Sequence, residues 1–381
     1  MMEEIYNKNN PFLASIKERY SLCKPGSHKD TQHVVLDLKG SNINYEVGDS
    51  IAIFPQNDNF AVHQLLHILH ASGAEIVKDR HDKEWTFLDF LASRANIVEI
   101  NRKLLSEIAL RQTNTDKKIF LESFLLESNK IALKEYLSSN HVTDLMHANQ
   151  EVLFSPQEFS SILMPLLPRF YSIASSPKAN EEEIHLTVAL LKYACNGTVR
   201  TGVCTQYLCQ IAPLNEAIVP VYIQRHHGFT LPHDDAPIIM VGPGTGIAPF
   251  RAFMQERSMR SVSGKSWLFF GECHQEFNFF YENFWNELVA HGKLRLDVAF
   301  SRDQEHKVYV QHRMLDRGKE LFDWLENGGY FYVCGDAQRM AKDVEATLLQ
   351  VIKQHGNFGD DTAKMYVKRL RTEKRYLRDV Y

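Results

Sequence analysis

The chain has 381 residues, of which 44% are apolar and 24% charged, and its formal net charge at pH 7 is -4. This length exceeds the usual size of one hydrophobic core and predicts two domains, while the charge argues against nucleic acid as the main partner. No apolar run approaches the roughly 20 residues of a membrane span, and the start MMEEIYNKNN lacks the basic and apolar regions of a signal peptide. We therefore expect a cytoplasmic protein with no membrane partner. Its six cysteines form no C-x-x-C pair, so we expect reduced thiols and neither a metal site nor a disulfide framework.

The first part of the chain changes from a strand pattern to a helix pattern. Residues 11–54 alternate around turn residues and predict the opening of a β-barrel or sandwich. From about residue 60 apolar side chains recur at helical spacing, which predicts a helical insert over 61–150. Within it Thr86 and Asp89 resemble a capping box, and the Leu-rich region 119–137 suits one or two amphipathic helices.

A second β region follows a helix that Ser155 is predicted to cap, with Pro156 in its first turn. Its predicted elements are strands at 169–176, 185–193 and 217–223 and a short helix within 202–208. The peptide LPHDDAP at 231–237 carries two prolines and two acids and predicts a domain boundary.

Beyond that boundary strands and helices alternate. We predict strands at 238–241, 266–270, 294–300 and 330–334 and helices near 249–259, 279–291, 311–326 and 337–355. Such alternation is typical of βαβ units, with a parallel sheet covered by helices on both faces and a ligand at the carboxyl ends of its strands. The basic run at 364–378 is predicted to be a solvated helix face, and docking of an acidic partner protein is the alternative.

The stretch VGPGTGIAPFRAF at 241–253 joins the first of these strands to a helix. Its three glycines leave the backbone bare, and Pro249 suits the first turn of a helix. Free amides and the positive end of the helix dipole then face one spot, as in sites that hold a pyrophosphate. An ordinary strand-to-helix turn is the alternative.

Several motifs occur in the order in which the diflavin reductases carry them. They are RFYS, TVALLKY, GVCT, GPGTGIAPFR, WLFFG, SRDQEHKVYVQ, YVCGD and the terminal YLRDVY. From about Pro11 onward the chain thus resembles this branch of the ferredoxin–NADP reductase superfamily, and it is most similar to the sulfite reductase members. The flavodoxin-like FMN domain that usually precedes this region does not occur in the sequence, so we expect a separate electron acceptor.

The resemblance implies an α+β protein with two domains. An antiparallel β-barrel that binds FAD would comprise 11–60 and 151–230, with 61–150 as its α-helical insert. An α/β, Rossmann-like domain with a parallel sheet that binds NADP would comprise 231–381.

By the same resemblance, Arg169 would contact the FAD pyrophosphate and Tyr171 would lie against the flavin. A guanidinium fits diphosphate with a fixed fork, and a planar phenol covers an aromatic ring. The terminal Tyr381 would stack on the flavin where nicotinamide must go and act as a gate, although a frayed terminus is the ordinary alternative. The other implied FAD contacts are Phe170, Ser172, Thr187, Val188, Ala189, Tyr193, Gly202, Val203, Cys204 and Thr205. For Val188 the β core is the alternative, and Cys204 is expected to fill space.

For the pyridine nucleotide, Ser301, Arg302, Lys307 and Tyr309 match the family's pattern around the adenosine 2′-phosphate. Two cations and two hydroxyls suit a dianionic phosphate, whereas an NAD site would place a carboxylate on the ribose, so NADPH is expected. The other implied NADP contacts are Gly244, Thr245, Val308, Val310, Gln311 and Asp343. A simple turn for the Ser-Arg-Asp peptide, and a solvated helix position for Asp343, remain the alternatives.

Ser172, Cys334 and Asp379 resemble the family residues beside the reacting atoms. The resemblance implies hydride transfer from NADPH to FAD and then single electrons to a flavodoxin-like protein, a ferredoxin or a sulfite reductase haemoprotein. Two alternatives remain, a simple ferredoxin or flavodoxin reductase and an inactive nucleotide-binding subunit. For Cys334 a purely structural role at the end of a buried strand is the alternative.

Overall fold

The computed structural model describes residues 6–226, 228–260 and 262–381, so the first five residues of the segment considered for a signal peptide lie outside it. The strands are β1 (Phe12–Ser21), β2 (Thr31–Asp37), β3 (Ser50–Ile53), β4 (Ile76–Lys78), β5 (Glu84–Thr86), β6 (Ala95–Asn96), β7 (Met164–Pro165), β8 (Arg169–Ser172), β9 (Glu183–Ala189), β10 (Lys192–Cys195), β11 (Thr198–Thr201), β12 (Val219–Gln224), β13 (Ile238–Val241), β14 (Ser266–Glu272), β15 (Arg295–Phe300), β16 (Tyr330–Gly335) and β17 (Tyr376–Val380).

The helices are α1 (Asn59–Ile68), α2 (Phe87–Ser93), α3 (Arg102–Arg111), α4 (Thr115–Leu125), α5 (Lys130–Ser139), α6 (Val142–Ala148), α7 (Pro156–Ile162), α8 (Val203–Gln206), α9 (Ala248–Met259), α10 (Gln275–Asn278), α11 (Glu282–Ala290), α12 (Val310–Asp316), α13 (Gly318–Glu326), α14 (Met340–Gly356) and α15 (Asp360–Thr372). Over the described ranges none of them combines the length and apolar character needed to cross a membrane.

The chain forms two compact units. The first comprises the chain up to Ala52, Phe170–Leu190 and Pro213–Tyr381, and the second comprises Ile53–Arg169 and Leu191–Ala212. The domain borders near 60, 150 and 230 stay predictions.

The β-sheet at the start of the first unit has the strand order β8-β3-β12-β1-β2-β9. Strand β1 pairs antiparallel with both β12 and β2, and β2 pairs antiparallel with β9. Strands β8 and β9 lie at opposite edges, yet the amide of Ala174, just beyond β8, donates to the carbonyl of His185 in β9 at 2.8 Å. This bond joins the two edges, as the predicted antiparallel barrel requires.

The helical insert forms the core of the second unit. Apolar side chains of α1, α2, α3, α6 and α7 pack together there, with residues such as Val62, Leu104 and Phe159 fully buried. Thr86 accepts a hydrogen bond from the amide of Asp89, and Ser155 caps α7 in a complete capping box. Both predicted helix starts are therefore confirmed. Helices α3 and α6 were not predicted.

The parallel sheet of the first unit has the order β15-β14-β13-β16-β17, and each neighbouring pair is parallel. The chain moves outward from β13 to β15 on one side and then returns to place β16 on the other side of β13. The direction of strand addition thus reverses between β13 and β16. In open α/β sheets this point forms the crevice that takes the ligand.

Side chains of the parallel sheet alternate between two apolar cores. Ile239 and Val241 of β13 face the side covered by α12, α13, α14 and α15, whereas Ile238 and Met240 face the side of α9 and α11. This two-residue period is that of an extended strand with both faces buried. The predicted fold class is confirmed by these two sheets.

Two predicted helices in the parallel-sheet region were partly wrong. The predicted helix 311–326 breaks between α12 and α13 at Arg317, whose φ of -108° and ψ of 18° are not helical. Gly318 begins α13, and an added Cβ there would lie 2.6 Å from Nε2 of His355 on α14. The predicted helix 279–291 begins only at Glu282, because Tyr281 has a left-handed backbone with φ 58°.

The basic run at 364–378 is not one helix face. Helix α15 ends at Thr372, and Arg378 lies in the edge strand β17, which the sequence did not predict. Several of these cations are paired, since Arg371 and Arg378 both contact Oε2 of Glu345, at 2.6 and 3.1 Å.

The buried pair His33 and His185 makes the stability of this protein sensitive to acid. The two side chains are 1% and 8% exposed, and burial lowers the pKa of His33 to about 2 and that of His185 to about 4. An unfolded histidine has a pKa near 6.5, so between about pH 6.5 and 4 the unfolded chain binds more protons and stability falls as pH falls. We expect each histidine to contribute a slope of up to about 1.4 kcal/mol per pH unit. Urea unfolding at several pH values measures this dependence of the free energy of unfolding on pH.

The variant His33→Gln should flatten that slope, whereas His28→Gln, at an exposed position, should leave it unchanged. Equal slopes for His33→Gln and the unmodified chain would contradict the assignment.

Candidate functional site

The glycine loop after β13 is shaped by close backbone contacts. Gly244 has φ +59°, and a Cβ at Gly246 would lie 2.1 Å from the carbonyl oxygen of Cys334 at the end of β16. One 3-10 turn (Gly244–Ile247) leads into α9, with Pro249 in its first turn as predicted. The loop therefore reaches the crevice between β13 and β16 in close contact with the backbone, and the amides of Gly242 and Gly246 donate to the carbonyls of Phe269 and Pro243, each at 3.1 Å. Its role as a pyrophosphate site stays a prediction.

The last residue of the chain is tied into this crevice. The amide of Tyr381 donates to the carbonyl of Gly335 at 3.1 Å, and its carbonyl accepts from the amide of Ala337 at 3.0 Å. Its phenol lies 2.9 Å from the hydroxyl of Thr245 in the glycine loop, while the residue as a whole is 62% exposed. The terminus is thus an ordered part of the candidate site and not a frayed end.

Ser172, Cys334 and Asp379 come together in the first unit. Parallel pairing of β16 and β17 sets Cys334 opposite Asp379. The Ser172 hydroxyl donates to Oδ2 of Asp379 at 2.5 Å, and the Cys334 thiol lies 3.7 Å from the same oxygen. Burial raises the pKa of the Cys334 thiol well above its usual value, and the Asp379 charge raises it further, so the thiol stays protonated at neutral pH. A carboxylate therefore accepts from a hydroxyl and a thiol at one point.

The side chains of the barrel residues that were expected to contact the flavin leave their strands in different directions. Thr187 and Val188 are neighbours on β9, so their side chains leave opposite faces of the strand. The Thr187 hydroxyl lies 2.7 Å from the phenol of Tyr281, and Val188 is fully buried. Phe170 on β8 is 52% exposed, and the neighbouring Tyr171 is half-buried. The position of Val188 suits the barrel core, which was its alternative interpretation. Ala189, at the end of β9, is exposed.

The remaining residues predicted to contact FAD lie in the second unit. Arg169 is exposed, and Tyr193 is half-buried, with its hydroxyl 2.9 Å from Nε2 of His141. The peptide Gly202–Thr205 leads into the short helix α8, where Cys204 is buried. The hydroxyl of Thr205 donates to the carbonyl of Gly202 at 3.0 Å, and the amide of Gly202 donates to the carbonyl of Leu191 at 2.9 Å, so both groups shape this turn.

The predicted 2′-phosphate residues follow β15. Ser301, Arg302, Lys307 and Tyr309 lie on one surface turn that ends at α12, and Arg302, Lys307 and Tyr309 are exposed. Over residues 6–226, 228–260 and 262–381 neither Arg302 nor Lys307 forms an ion pair. Two cations are therefore available to an anion.

The acid beside Arg302 is turned away from this role. Asp303 accepts from the amide of Gln275 at 2.8 Å and contacts Nδ1 of His274 at 2.8 Å. This arrangement removes the nearby carboxylate that an NAD site would use on the ribose.

Of the other predicted NADP contacts, Gln311 and Asp343 lie together, with a side-chain distance of 3.4 Å between Nε2 and Oδ2. Val310 is buried in the core between the sheet and α14, and Val308 packs beside it. These two valines are placed to support the turn and are covered by other apolar side chains.

Sequence reasoning missed several residues around the site. Glu272 ends β14 as a nearly buried carboxylate, and Lys29 from the β1–β2 connection bonds both of its oxygens, at 2.7 and 2.9 Å. Nε2 of His141 lies within hydrogen-bond distance of the Tyr193 hydroxyl, and the Tyr281 hydroxyl within hydrogen-bond distance of the Thr187 hydroxyl. No local sequence pattern predicted these residues, although Glu272 closely follows the predicted strand 266–270.

Two family models match the chain. One, described as FAD binding domain, matches residues 5–207, and the other, described as Oxidoreductase NAD-binding domain, matches residues 240–346.

The chain is also similar to curated proteins named sulfite reductase [NADPH] flavoprotein alpha-component. That of Bacillus subtilis (strain 168) is 42% identical over 382 residues, which are 100% of this chain and 62% of the relative. That of Vibrio cholerae serotype O1 (strain ATCC 39541) is 42% identical over 383 residues, 100% of this chain and 61% of the relative. That of Photorhabdus laumondii is 38% identical over 380 residues, 99% of this chain and 62% of the relative. The chain thus spans about three fifths of the length of these relatives.

Replacing Gly246 by alanine should damage the fold at the crevice. The new Cβ would lie 2.1 Å from a backbone oxygen of β16, so the loop or the strand must shift. We expect a loss of roughly 1–3 kcal/mol of stability from this overpacking, measured by chemical unfolding. Gly359→Ala, where an added Cβ meets nothing within 4 Å, is the control. Equal stability of the two variants would contradict the close contact.

Proposed function

Because this chain belongs to the FAD binding domain family, we propose that it is an NADPH-dependent flavoprotein oxidoreductase. In this proposal NADPH gives a hydride to FAD, and electrons then leave singly to an acceptor protein. FAD, when bound, supplies the chemistry that converts one two-electron step into two one-electron steps. The protein contributes binding, orientation and local electrostatics.

One observation carries the proposal. Ser172 belongs to the RFYS motif expected at FAD, Cys334 and Asp379 belong to the region 231–381 expected to bind NADP, and Oδ2 of Asp379 contacts the other two side chains. Residues of the two expected cofactor regions thus meet within one unit. Transfer of a hydride needs such a meeting point, because the reacting atoms must approach to about 3–3.5 Å.

Each member of this group has a proposed role that follows from its contacts. Asp379 holds negative charge where positive charge develops on nicotinamide, and Ser172 offers a hydroxyl to the flavin edge. Cys334 is a protonated thiol that bonds Asp379 and excludes water from it. Arg169, Tyr193 and the start of α8 are the proposed FAD contacts of the second unit.

The choice of NADPH over NADH rests on the turn after β15. Arg302 and Lys307 form no ion pair with the residues that the structure describes, and they lie on the same turn as Ser301 and Tyr309, while Asp303 contacts His274. Charge-assisted hydrogen bonds of this kind are what a 2′-phosphate requires.

For the acceptor we propose an FMN, iron–sulfur or haem protein, and specifically the route to a sulfite reductase haemoprotein that the names of the matched relatives suggest. We place the reaction in the cytoplasm, in keeping with six free cysteines among the described residues. A flavodoxin-like protein and a ferredoxin are the other acceptors to screen against NADPH-reduced protein.

The central test is anaerobic reduction of the FAD-loaded protein by NADPH, followed by loss of flavin absorbance in a stopped-flow instrument. Asp379→Asn removes the charge and should slow this step roughly 10–100-fold with little change in FAD content. Asp361→Asn, at an exposed position of α15, should react like the unmodified chain. A protein that holds no FAD, or FAD that NADPH does not reduce, would refute the proposed function.

Replacement of Tyr381 by alanine tests its role as a gate. The change removes both the ring and the contact with Thr245, so we expect tighter binding of the nicotinamide end and a smaller preference for NADPH over NADH. Titration with NADP⁺ and kcat/KM for both nucleotides measure the effect. Unchanged affinities and an unchanged preference would count against the gate.

A further inference from the structure

We propose that Tyr281 is a positioning residue, which uses its hydroxyl to hold the nucleotide-binding part of the first unit in register with the flavin strand β9. This inference rests on the proposed function, because it concerns how the two ring sites are held together. The Tyr281 cluster consists of Tyr281, Thr187, His33, His185 and Arg251.

Tyr281 reaches from the parallel-sheet domain to two barrel strands. Its hydroxyl lies 2.7 Å from Oγ1 of Thr187 on β9 and 2.9 Å from Nδ1 of His33 on β2. Its backbone is left-handed, with φ 58° and ψ 32°, directly before α11. A bulky residue in that conformation is strained, and such strain persists only where surrounding contacts impose it. The two hydrogen bonds are contacts of that kind.

The hydrogen bonds of the cluster can be assigned one by one. A Glu183 carboxylate only accepts, so Nε2 of His185, at 3.1 Å, donates to it. Nδ1 of His185 lies 3.3 Å from Nη1 of Arg251, which can only donate, so this nitrogen is an acceptor. Nε2 of His33, at 3.2 Å, then donates to that Nδ1, which leaves Nδ1 of His33 as the acceptor for the Tyr281 hydroxyl. Thr187 in turn donates to Tyr281. Both imidazoles are neutral in this assignment, in agreement with burial lowering the pKa of each.

Arg251 provides a second connection close to the first. It lies on α9, the helix that follows the glycine loop, and Nη1 donates at 2.7 Å to the carbonyl of Ala174, two residues beyond Ser172. Its guanidinium also lies over the ring of Tyr281, 5.0 Å from the centroid. The chain after Ser172 is therefore bonded to the helix that begins at the glycine loop.

These connections lie beside the contact on which the proposed chemistry depends. Ser172 and Asp379 meet at 2.5 Å, and a shift of about 1 Å between reacting groups can cost around 100-fold in rate. Loss of the Tyr281 hydroxyl should consequently impair the chemical step more than the binding of either cofactor.

Tyr281→Phe removes the hydroxyl and keeps the ring. We expect FAD content and NADP⁺ affinity within about 2-fold of the unmodified chain, flavin reduction by NADPH slowed about 10-fold, and a larger isotope effect with 4-deuterated NADPH. Tyr20→Phe is the matched control, because Tyr20 also packs on His33, with ring centroids 4.9 Å apart, but its hydroxyl bonds no side chain within the described ranges.

A second measurement, hydrogen–deuterium exchange, does not depend on catalysis. Hydrogen–deuterium exchange of the nucleotide-free protein should increase in the peptides around 172–176 and 279–284 for Tyr281→Phe and not for Tyr20→Phe. Thr187→Val removes one of the two hydrogen bonds of the Tyr281 hydroxyl and should produce the same two effects at smaller size. The double variant should be no worse than Tyr281→Phe alone, since Tyr281→Phe already removes the bond to Thr187.

Tyr281→Phe with the rate and exchange of the Tyr20→Phe control would overturn the proposal, as would a rate that falls only in proportion to lost FAD. Should Tyr281→Phe fail to fold, Thr187→Val decides by the same criteria. Should the unmodified chain show no reduction by NADPH, the proposed function fails, and unchanged exchange in the variants would separately refute the positioning role.

Discussion

The Oδ2 atom of Asp379 is the point on which the proposed site depends. It accepts from the Ser172 hydroxyl of the barrel and lies against the Cys334 thiol of the parallel sheet. A carboxylate in such surroundings is costly unless donors compensate it, and these two groups supply them. The arrangement exists because the edge strand β17 pairs in parallel with β16, which sets Asp379 opposite Cys334. The last residues of the chain are therefore part of the site and of the sheet.

A second constraint is the close approach of the glycine loop to the end of β16. An added Cβ at Gly246 would meet the Cys334 carbonyl, so only glycine allows the loop to cross the crevice at the sheet's switch point. The loop leaves Thr245 beside the phenol of Tyr381, and backbone bonds hold that terminal residue to Gly335. One crevice thus contains the glycine loop, the end of β16 that carries Cys334, and the ring of Tyr381.

Local charge matters more here than the net charge of -4. Most cations near the end of the chain form ion pairs; Arg371 and Arg378, for example, both pair with Glu345. Arg302 and Lys307 carry no such partner within the described residues, and the neighbouring Asp303 is turned toward His274. An acidic protein can therefore still present a cationic turn that suits a phosphate, because charges at a surface act mainly over about 10 Å.

Much of the architecture could be predicted from the sequence because its signals are local. Continuous apolar runs such as Ile238–Val241 mark strands of the parallel sheet, because both faces of the sheet are buried, and caps such as Ser155 mark helix starts through bonds to residues three positions away. The need for glycine at Gly318, directly after the break between α12 and α13, could not be predicted in this way, since it comes from His355 on another helix. The left-handed turn at Tyr281 likewise depends on partners in β2 and β9, far away in the chain.

In the candidate site, too, part of the arrangement follows from the sequence and part only from the tertiary structure. The resemblance to the diflavin reductases pointed to Ser172, Cys334 and Asp379, because the motifs that carry it preserve residue types and their local spacing. That Ser172 and Asp379 touch across 207 positions was decided by the tertiary structure, through closure of the barrel and the parallel addition of the final strand. Sequence by itself thus determined which chemical groups the protein possesses. Only packing between distant segments determined which of them meet, because a hydrogen bond depends on positions in space that no local pattern encodes.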